Sequence, residues 1–449
     1  MAKTENLEYQ DGFDSAKRTF YIAYCNKGEG QYLCSVIEFE KFTLPNGLRV
    51  IHHYDPDSTI VILNILYNCG ARDEEINKTG FAHLFEHLMF GGSLNIPEYD
   101  VQVENAGGSN NAFTCNDYTN YYITVPAENA ETAFWLESDR MLQLDFSQKS
   151  LDVQRGVVIE EFKQRCFNAP FGMLWHHLRS LLYKSHPYQW PTIGLKLEHV
   201  EHATLEDVKK FYFEHYLPEN AIMCVGGKID LKETIRLTEK WFGSINRTGA
   251  ANKNQYAAEQ PQLEKRFLEE TDLSPDPAVF IAWRGPKFAD PESISLELFA
   301  DMLGGSESSP LYLELVKKTA AFSSAECFYM RNLDDGVFII YGILNAGTTH
   351  AEGEKQLMDI LKRTAAGQFI TERNLEMVKN KTSTHLLFEH TNLLNKAQKL
   401  CFFENIGSAS LINREAEDYL RPGFENILEL AATTFNQDHA SIVYYSPKK

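Results

Sequence analysis

Residues 39–53 alternate apolar and polar side chains on either side of Pro45-Asn46-Gly47, the pattern of two strands joined by a tight Asn-Gly turn. Regular structure is expected to begin near Ile37. Residues 61–67 form an apolar run that reads as a further strand. The period then changes to that of a helix over 79–90, with Thr79 in the N-cap position. A β-rich run at 121–125 is stopped by Pro126, and helical spacing follows at 128–144 and 148–165. Thr204 and Asp207 form a capping-box pattern that opens a helix over 204–216. A strand at 220–227 and a helix at 231–242 complete this stretch.

Residues 246–262 are rich in Asn, Ala, Gly and Gln and poor in large apolar side chains. They read as a linker between two domains, 37–245 and 263–449, with an extension at 1–36 before the first. A chain of 449 residues is long enough to need two cores. After the linker the order starts again, with a strand at 278–283, a helix at 293–303 that runs into Gly304-Gly305, and a strand at 337–344. The helix at 79–90 likewise runs into Gly91-Gly92. The expectation is an α+β protein of two related halves.

Charge and composition narrow the function. With 43 basic and 62 acidic side chains the net charge is −19, which lacks the basic footprint of a nucleic-acid binder and does not suit docking on anionic lipid. Solubility is the plain reading of this charge, and an acidic chamber that attracts basic peptides is the sharper one. No apolar run is long enough for a membrane span. The first 28 residues carry Lys and Glu throughout and lack the apolar stretch of a leader. That predicts a cytoplasmic protein, or a periplasmic one if a leader has been cleaved away. Eight cysteines, at 25, 34, 69, 115, 166, 224, 327 and 401, stand singly and form no Cys-x-x-Cys pair, so a cysteine zinc site is not expected. Only Cys25 and Cys34 are close enough for a local bridge.

The chemistry is concentrated in His83-Leu84-Phe85-Glu86-His87. On a helix, residues four apart lie one above the other, which brings two imidazoles to one ion. Glu86 lies near the same face. A hydrolytic zinc takes three protein ligands and keeps one position open for water, and a nearby carboxylate takes that water's proton. Glu86 suits the base, because using it as a ligand would remove the base. The third ligand should be a carboxylate from another element. Glu160 and Glu161, in the helix predicted over 148–165, are both candidates, and spacing does not choose between them. An arbitrary Glu-Glu pair is more often a solvated helix face.

With these residues in place, the chain resembles the M16 metallopeptidases, the family of pitrilysin, insulin-degrading enzyme and mitochondrial processing peptidase, and most of all its shorter bacterial members. The resemblance runs from residue 37 nearly to the C-terminus. It is carried by Leu44-Pro45-Asn46-Gly47-Leu48, by Gly70-Ala71-Arg72-Asp73-Glu74 ahead of Gly80-Phe81-Ala82-His83, and by Gly107-Gly108 through Tyr121-Tyr122. Leu136 to Met141, His186-Pro187-Tyr188, Gly194 and the run from Asp207 to Asn220 fit as well. The resemblance implies two αβ domains, each a mixed or antiparallel sheet flanked by helices, together half of a clamshell. It implies one zinc per chain, held by His83, His87 and Glu161. Glu161 is singled out because the family's glutamate follows an arginine by six residues, as it follows Arg155 here. Gln154 stands where some members carry an acidic residue. Asn111 and Ala112 would lie on an edge strand that pairs with an extended peptide substrate.

The pattern breaks in the second half. Complete members use an Arg and a Tyr seven residues apart to hold the substrate carbonyl. The matching positions here are Val316 and Ser323, a one-residue gap offers only Phe322, and the counterpart of the histidine helix near Glu297 has no histidine. The expectation is a zinc endopeptidase for short or unfolded peptides that works as one subunit of a heterodimer with a related chain, or as a homodimer. The alternative is a metal-binding scaffold subunit that cleaves nothing. A different zinc hydrolase, such as an amidase, shares only the metal-activated water.

Overall fold

The computed structural model describes residues 36–246 and 256–448. Apart from Val36, the expected extension, with its Cys25–Cys34 bridge, lies outside the described residues. So do positions 247–255 of the expected linker.

The chain forms two compact units, and neither is continuous in sequence. The first holds the described residues up to 159, together with 192–246 and 386–415; the second holds 160–191, 256–385 and 416–448. The expected boundaries, 37–245 and 263–449, put each of these segments with its neighbours in sequence. By contact, each half gives a helix to the other's sheet. Helix Leu174–Leu182 buries Leu178 and Leu182 against Ala278, Phe280 and Ala282 of the second unit. Helix Leu393–Asn405 lies on the first unit's sheet, with Cys401 fully buried and its Sγ near the carbonyls of Asn64 and Ile222. The apolar face of a helix shows that it will be buried but not against which sheet.

The first unit's sheet contains β1 (Glu40–Thr43), β2 (Arg49–Tyr54), β3 (Ile60–Tyr67), β4 (Ser109–Thr114), β5 (Thr119–Pro126) and β6 (Ala221–Gly227), in the order β1-β2-β6-β3-β5-β4. The second contains β7 (Arg266–Asp272), β8 (Ala278–Gly285), β9 (Phe322–Met330), β10 (Gly336–Leu344) and β11 (Ser441–Pro447), in the order β7-β11-β8-β10-β9. Without β1 the two orders are the same. In each sheet the last strand in sequence enters beside the first as a parallel pair, β2 with β6 and β7 with β11, and the other pairings are antiparallel. Strand β6 is buried along its whole length, which its run Ala-Ile-Met-Cys-Val-Gly-Gly permits. These are two related αβ halves with mixed sheets flanked by helices.

The expected hairpin is present. β1 pairs with β2, the Leu44 N–H donates to the Leu48 carbonyl at 2.9 Å, and Gly47 sits at φ +90°. β3 shows how the sheet divides its faces. Val61, Leu63, Ile65 and Tyr67 join a core with Phe81, Leu84, Phe85 and Leu88. Asn64 points the other way, and its amide exchanges two hydrogen bonds with Asn120, at 2.9 and 2.8 Å, satisfying both groups in a fully buried place. No helix among the described residues is long and apolar enough to cross a membrane.

Candidate metal centre

Helix Phe81–Leu88 carries the histidine motif. Phe81, Leu84, Phe85 and Leu88 fall on one face at helical spacing and are buried. Phe85 packs on Phe211 and Tyr216, with ring centroids 4.9 and 5.3 Å away. Burying one such ring contributes about 2–3 kcal/mol. This anchored face leaves His83 and His87 together on the opposite side, with ring centroids 4.9 Å apart and planes at 86°.

Thr79 is not the N-cap. Gly80 takes that position in the left-handed region at φ +87°, and a side chain there would press on the Ile193 carbonyl and Val200. The free N–H groups of the helix start go to Glu74, whose two carboxylate oxygens accept from Gly80 N at 2.9 Å and Ala82 N at 2.8 Å. Thr79 Oγ1 instead lies 2.8 Å from His199 Nδ1 and accepts from Leu195 N. A buried carboxylate from six residues upstream displaced the local hydroxyl, and a local capping pattern does not reveal this.

The third carboxylate comes from helix Gln148–Phe162, which stops short of the expected Arg165 and continues as a wider π turn, Lys163–Phe167. Leu151 and Val158 fix the helix in the first unit's core. Its start is held close to the end of the histidine helix at Gly91, where an added Cβ would lie 2.4 Å from Ser150 Oγ. Arg155 donates to the Ala203 carbonyl at 2.9 Å and pairs with Asp152. Arg155 is therefore a structural tie within this unit.

The structure brings His83, His87 and Glu161 together, with one potential ligand atom from each lying within 4.8 Å of the others. Of the two adjacent carboxylates, Glu161 faces the imidazoles and is partly buried. Glu160 points to solvent and pairs with Lys163 at 2.7 Å. Arg165, one turn on, pairs with Glu161 at 2.7 Å. His83 is buried, while His87 and Glu86 are partly exposed, so the cluster has a protein side and an open side. Two imidazole nitrogens and one carboxylate oxygen are the donor set of a hydrolytic zinc site, so the residues fit that ion.

Glu86 lies on the same helix, next to His87. Tyr121 stands behind it, its phenol hydrogen-bonded to Tyr216 at 2.9 Å. Burial pushes the Tyr121 pKa well above the ordinary range, and Tyr216 and the charge of Glu86 add to the rise. Below this layer Arg140 is fully buried, donates to Glu137 at 2.9 Å and lies over the rings of Phe90, Tyr99 and Tyr121. Burial opposes its charge, but Glu137 beside it raises the pKa overall. Arg140 and Glu137 fall in the stretch 136–141 that carried the resemblance; their spacing of three on a helix permits the pair, but its complete burial is decided by tertiary packing.

Asn111 and Ala112 lie on β4, at the sheet edge, where β5 is the paired neighbour. Asn111 is exposed and Ala112 is buried toward the histidine helix. In the second unit Val316 lies on a π-helical segment, Leu311–Lys318. Ser323 is exposed on β9 and donates to the Ile343 carbonyl at 3.4 Å. Phe322 is buried, packed over Gly342.

Comparison with known proteins agrees with this architecture. The family model described as Insulinase (Peptidase family M16) matches residues 49–194, and the one described as Peptidase M16 inactive domain matches 202–382. The zinc protease PqqE of Helicobacter pylori is 30% identical over 391 residues, covering 85% of this chain and 83% of that protein. The crystal structure of a protease from Helicobacter pylori superposes with a TM-score of 0.85 at 27% identity, over 91% of this chain and 100% of that one. A probable mitochondrial-processing peptidase subunit beta from Arabidopsis thaliana is 24% identical, over 70% of this chain and 61% of its own length. The chain belongs to the M16 peptidase family.

Proposed function

We propose that this chain is a zinc-dependent endopeptidase for short or unfolded peptides, with one zinc held by His83, His87 and Glu161 and with Glu86 as general base. The observation that carries the reading is the convergence of those three donors within 4.8 Å beside Glu86. The names of the relatives, zinc proteases among them, support it. When bound, zinc supplies Lewis acidity to a water and to the scissile carbonyl.

The chain's own groups do the rest. Glu86, partly exposed on the open side, accepts the proton of the attacking water and passes it to the leaving amine. β4 offers its outer edge to an extended peptide, and Asn111 and Ala112 are the residues whose backbone groups would pair with it. Backbone pairing selects extended chains with little regard to sequence, as suits an enzyme of unfolded peptides. Val316 and Ser323 leave the charge-stabilising pair unsupplied by this chain, so a related partner chain provides the Arg and Tyr. A relative that is itself named as a subunit is consistent with this.

The test is cleavage of a quenched peptide by the zinc-loaded chain, alone and with a related partner subunit, with Glu86→Gln as control. Cleavage that needs the partner and disappears in Glu86→Gln supports the reading. Full activity of the chain alone removes the partner from it. The second reading, a metal-holding scaffold, is favoured by Val316, Ser323 and the match to an inactive-domain model. Bound zinc with no cleavage in any combination would move that reading ahead.

A further inference from the structure

The segment Gly70-Ala71-Arg72-Asp73-Glu74 is bonded at both ends. At one end it grips the turn between β4 and β5. Ala71 N donates to the Cys115 carbonyl at 3.1 Å and Arg72 N to the Asn116 carbonyl at 2.9 Å. The Arg72 guanidinium pairs with Asp117 at 2.9 Å, with both side chains largely buried. Thr119 Oγ1 donates to the Cys69 carbonyl at 2.9 Å just before the segment. A Cβ at Gly70 would stand 2.5 Å from the Asn116 carbonyl oxygen, so this approach requires glycine. At the other end, Glu74 takes the N–H groups of Gly80 and Ala82, immediately ahead of His83. Between the ends, the Asp73 carboxylate accepts from Gly70 N at 2.8 Å and closes the loop on itself.

We propose that this loop is a clasp that sets the edge strand β4 in register with the histidine helix, with Glu74 and Arg72 as positioning residues. Its catalytic consequence rests on the peptidase reading above; its mechanics rest on the hydrogen bonds alone. Glu74 satisfies two orphan donors of the helix start with one carboxylate. An amide at that position keeps only one acceptor oxygen, which leaves the first turn free to shift. A shift of half an ångström or so is enough to loosen a ligand set. Arg72 and Asp117 do the equivalent for the end of β4, where the peptide would pair.

Two variants of the full chain, Glu74→Gln and Arg72→Met, separate the ends. The first readout is amide hydrogen exchange, measured with and without zinc. Each variant is expected to speed exchange by about tenfold at both 80–84 and 115–118, because local opening at one end releases the other. Acceleration confined to the altered end in both variants overturns the clasp.

The second readout is zinc competition against a chromophoric chelator, together with peptide kinetics. Glu74→Gln is expected to weaken zinc by about tenfold, the scale of supporting-residue losses around metal sites. Arg72→Met is expected to weaken zinc by a smaller factor than Glu74→Gln, because its opening reaches the helix start only through the loop, and to raise KM the more of the two. Unchanged zinc affinity in Glu74→Gln, or a fall in kcat alone in Arg72→Met, counts against the positioning roles. Asp117→Asn, of the same shape, replaces Arg72→Met if that variant does not fold. A wild-type chain that cleaves nothing sinks the peptidase reading, while the exchange measurement still decides the clasp.

Discussion

The two sheets share one strand order, yet among the described residues the histidine pair of the candidate metal centre stands on a helix of one unit alone. In the first unit the helix after β3, Phe81–Leu88, carries His83, Glu86 and His87. In the second unit the corresponding helix after β8, Pro291–Gly304, is longer and buries Leu296, Leu298, Phe299, Met302 and Leu303. Its acidic residues serve the fold. Glu297 accepts from the Tyr419 hydroxyl at 2.6 Å, and burial pushes the Asp301 carboxyl above its ordinary range. The frame is therefore sufficient for folding without a histidine pair, and in the proposed reading the chemistry belongs to a few side chains and not to the fold.

The largest expected effect tests that asymmetry directly. Glu86→Gln should lower peptide cleavage by roughly 10²–10⁴-fold while zinc content, measured by atomic emission, stays at the wild-type level. The same change of carboxylate to amide on the corresponding helix of the other unit, Glu297→Gln, should leave kcat unchanged. Equal losses from both would break the comparison.

Next in size is the choice between adjacent carboxylates. Glu161→Ala should weaken zinc by more than about 100-fold, beyond the losses seen for supporting residues. Glu160→Ala should leave zinc affinity as it is, since Glu160 faces solvent and Lys163. A chelator titration of the two variants side by side decides this.

The interfaces under the exchanged helices also differ. The first unit sets the Asn64–Asn120 amide pair on the sheet face that helix Leu393–Asn405 covers, whereas the second packs Phe280 on Leu178 and Leu182. Asn120→Leu should cost about 1–3 kcal/mol by stranding the amide of Asn64, seen as a lower denaturation midpoint. Asn64→Leu combined with Asn120→Leu should recover much of it. A double variant as unstable as the sum of the single ones would show that the amides do more than satisfy each other.

The smallest effect, counted per pH unit, is one of pH. Helix Leu205–His215 precedes β6, and helix Phe424–Thr434 precedes β11, so His215 holds the place that Thr434 takes in the second unit. Burial lowers the His215 pKa from 6.5 to about 4. The folded state keeps this imidazole neutral, while the unfolded chain protonates it below 6.5. Its contribution is therefore complete above that pH and is lost as pH falls toward 4, at no more than about 1.4 kcal/mol per pH unit. His215→Phe should flatten the acid limb of stability, followed by urea unfolding between those pH values. An unchanged slope would assign the acid sensitivity to other groups.

Much of this molecule was legible in one dimension. Period and turn chemistry placed the β1–β2 hairpin, strands β3 and β6, the Thr204–Asp207 cap and the spacing of His83 and His87, because each depends on residues a few positions apart. Four-residue spacing on a helix is enough to bring two imidazoles together. Local pattern was silent where partners are distant in sequence. It could not rank Glu161 over Glu160, since which helix face meets the histidines depends on how Leu151 and Val158 seat the helix in the core. It placed Thr79 at the cap, where Gly80 stands and the Glu74 carboxylate takes the free N–H groups. It did not say which sheet helices 174–182 and 393–405 would cover, because an apolar stripe demands burial without naming what covers it. Backbone propensity and short-range hydrogen bonds are written locally in the sequence. The pairing of faces is settled only when whole sheets and helices compete for the same buried surface, and that competition takes place in the tertiary structure.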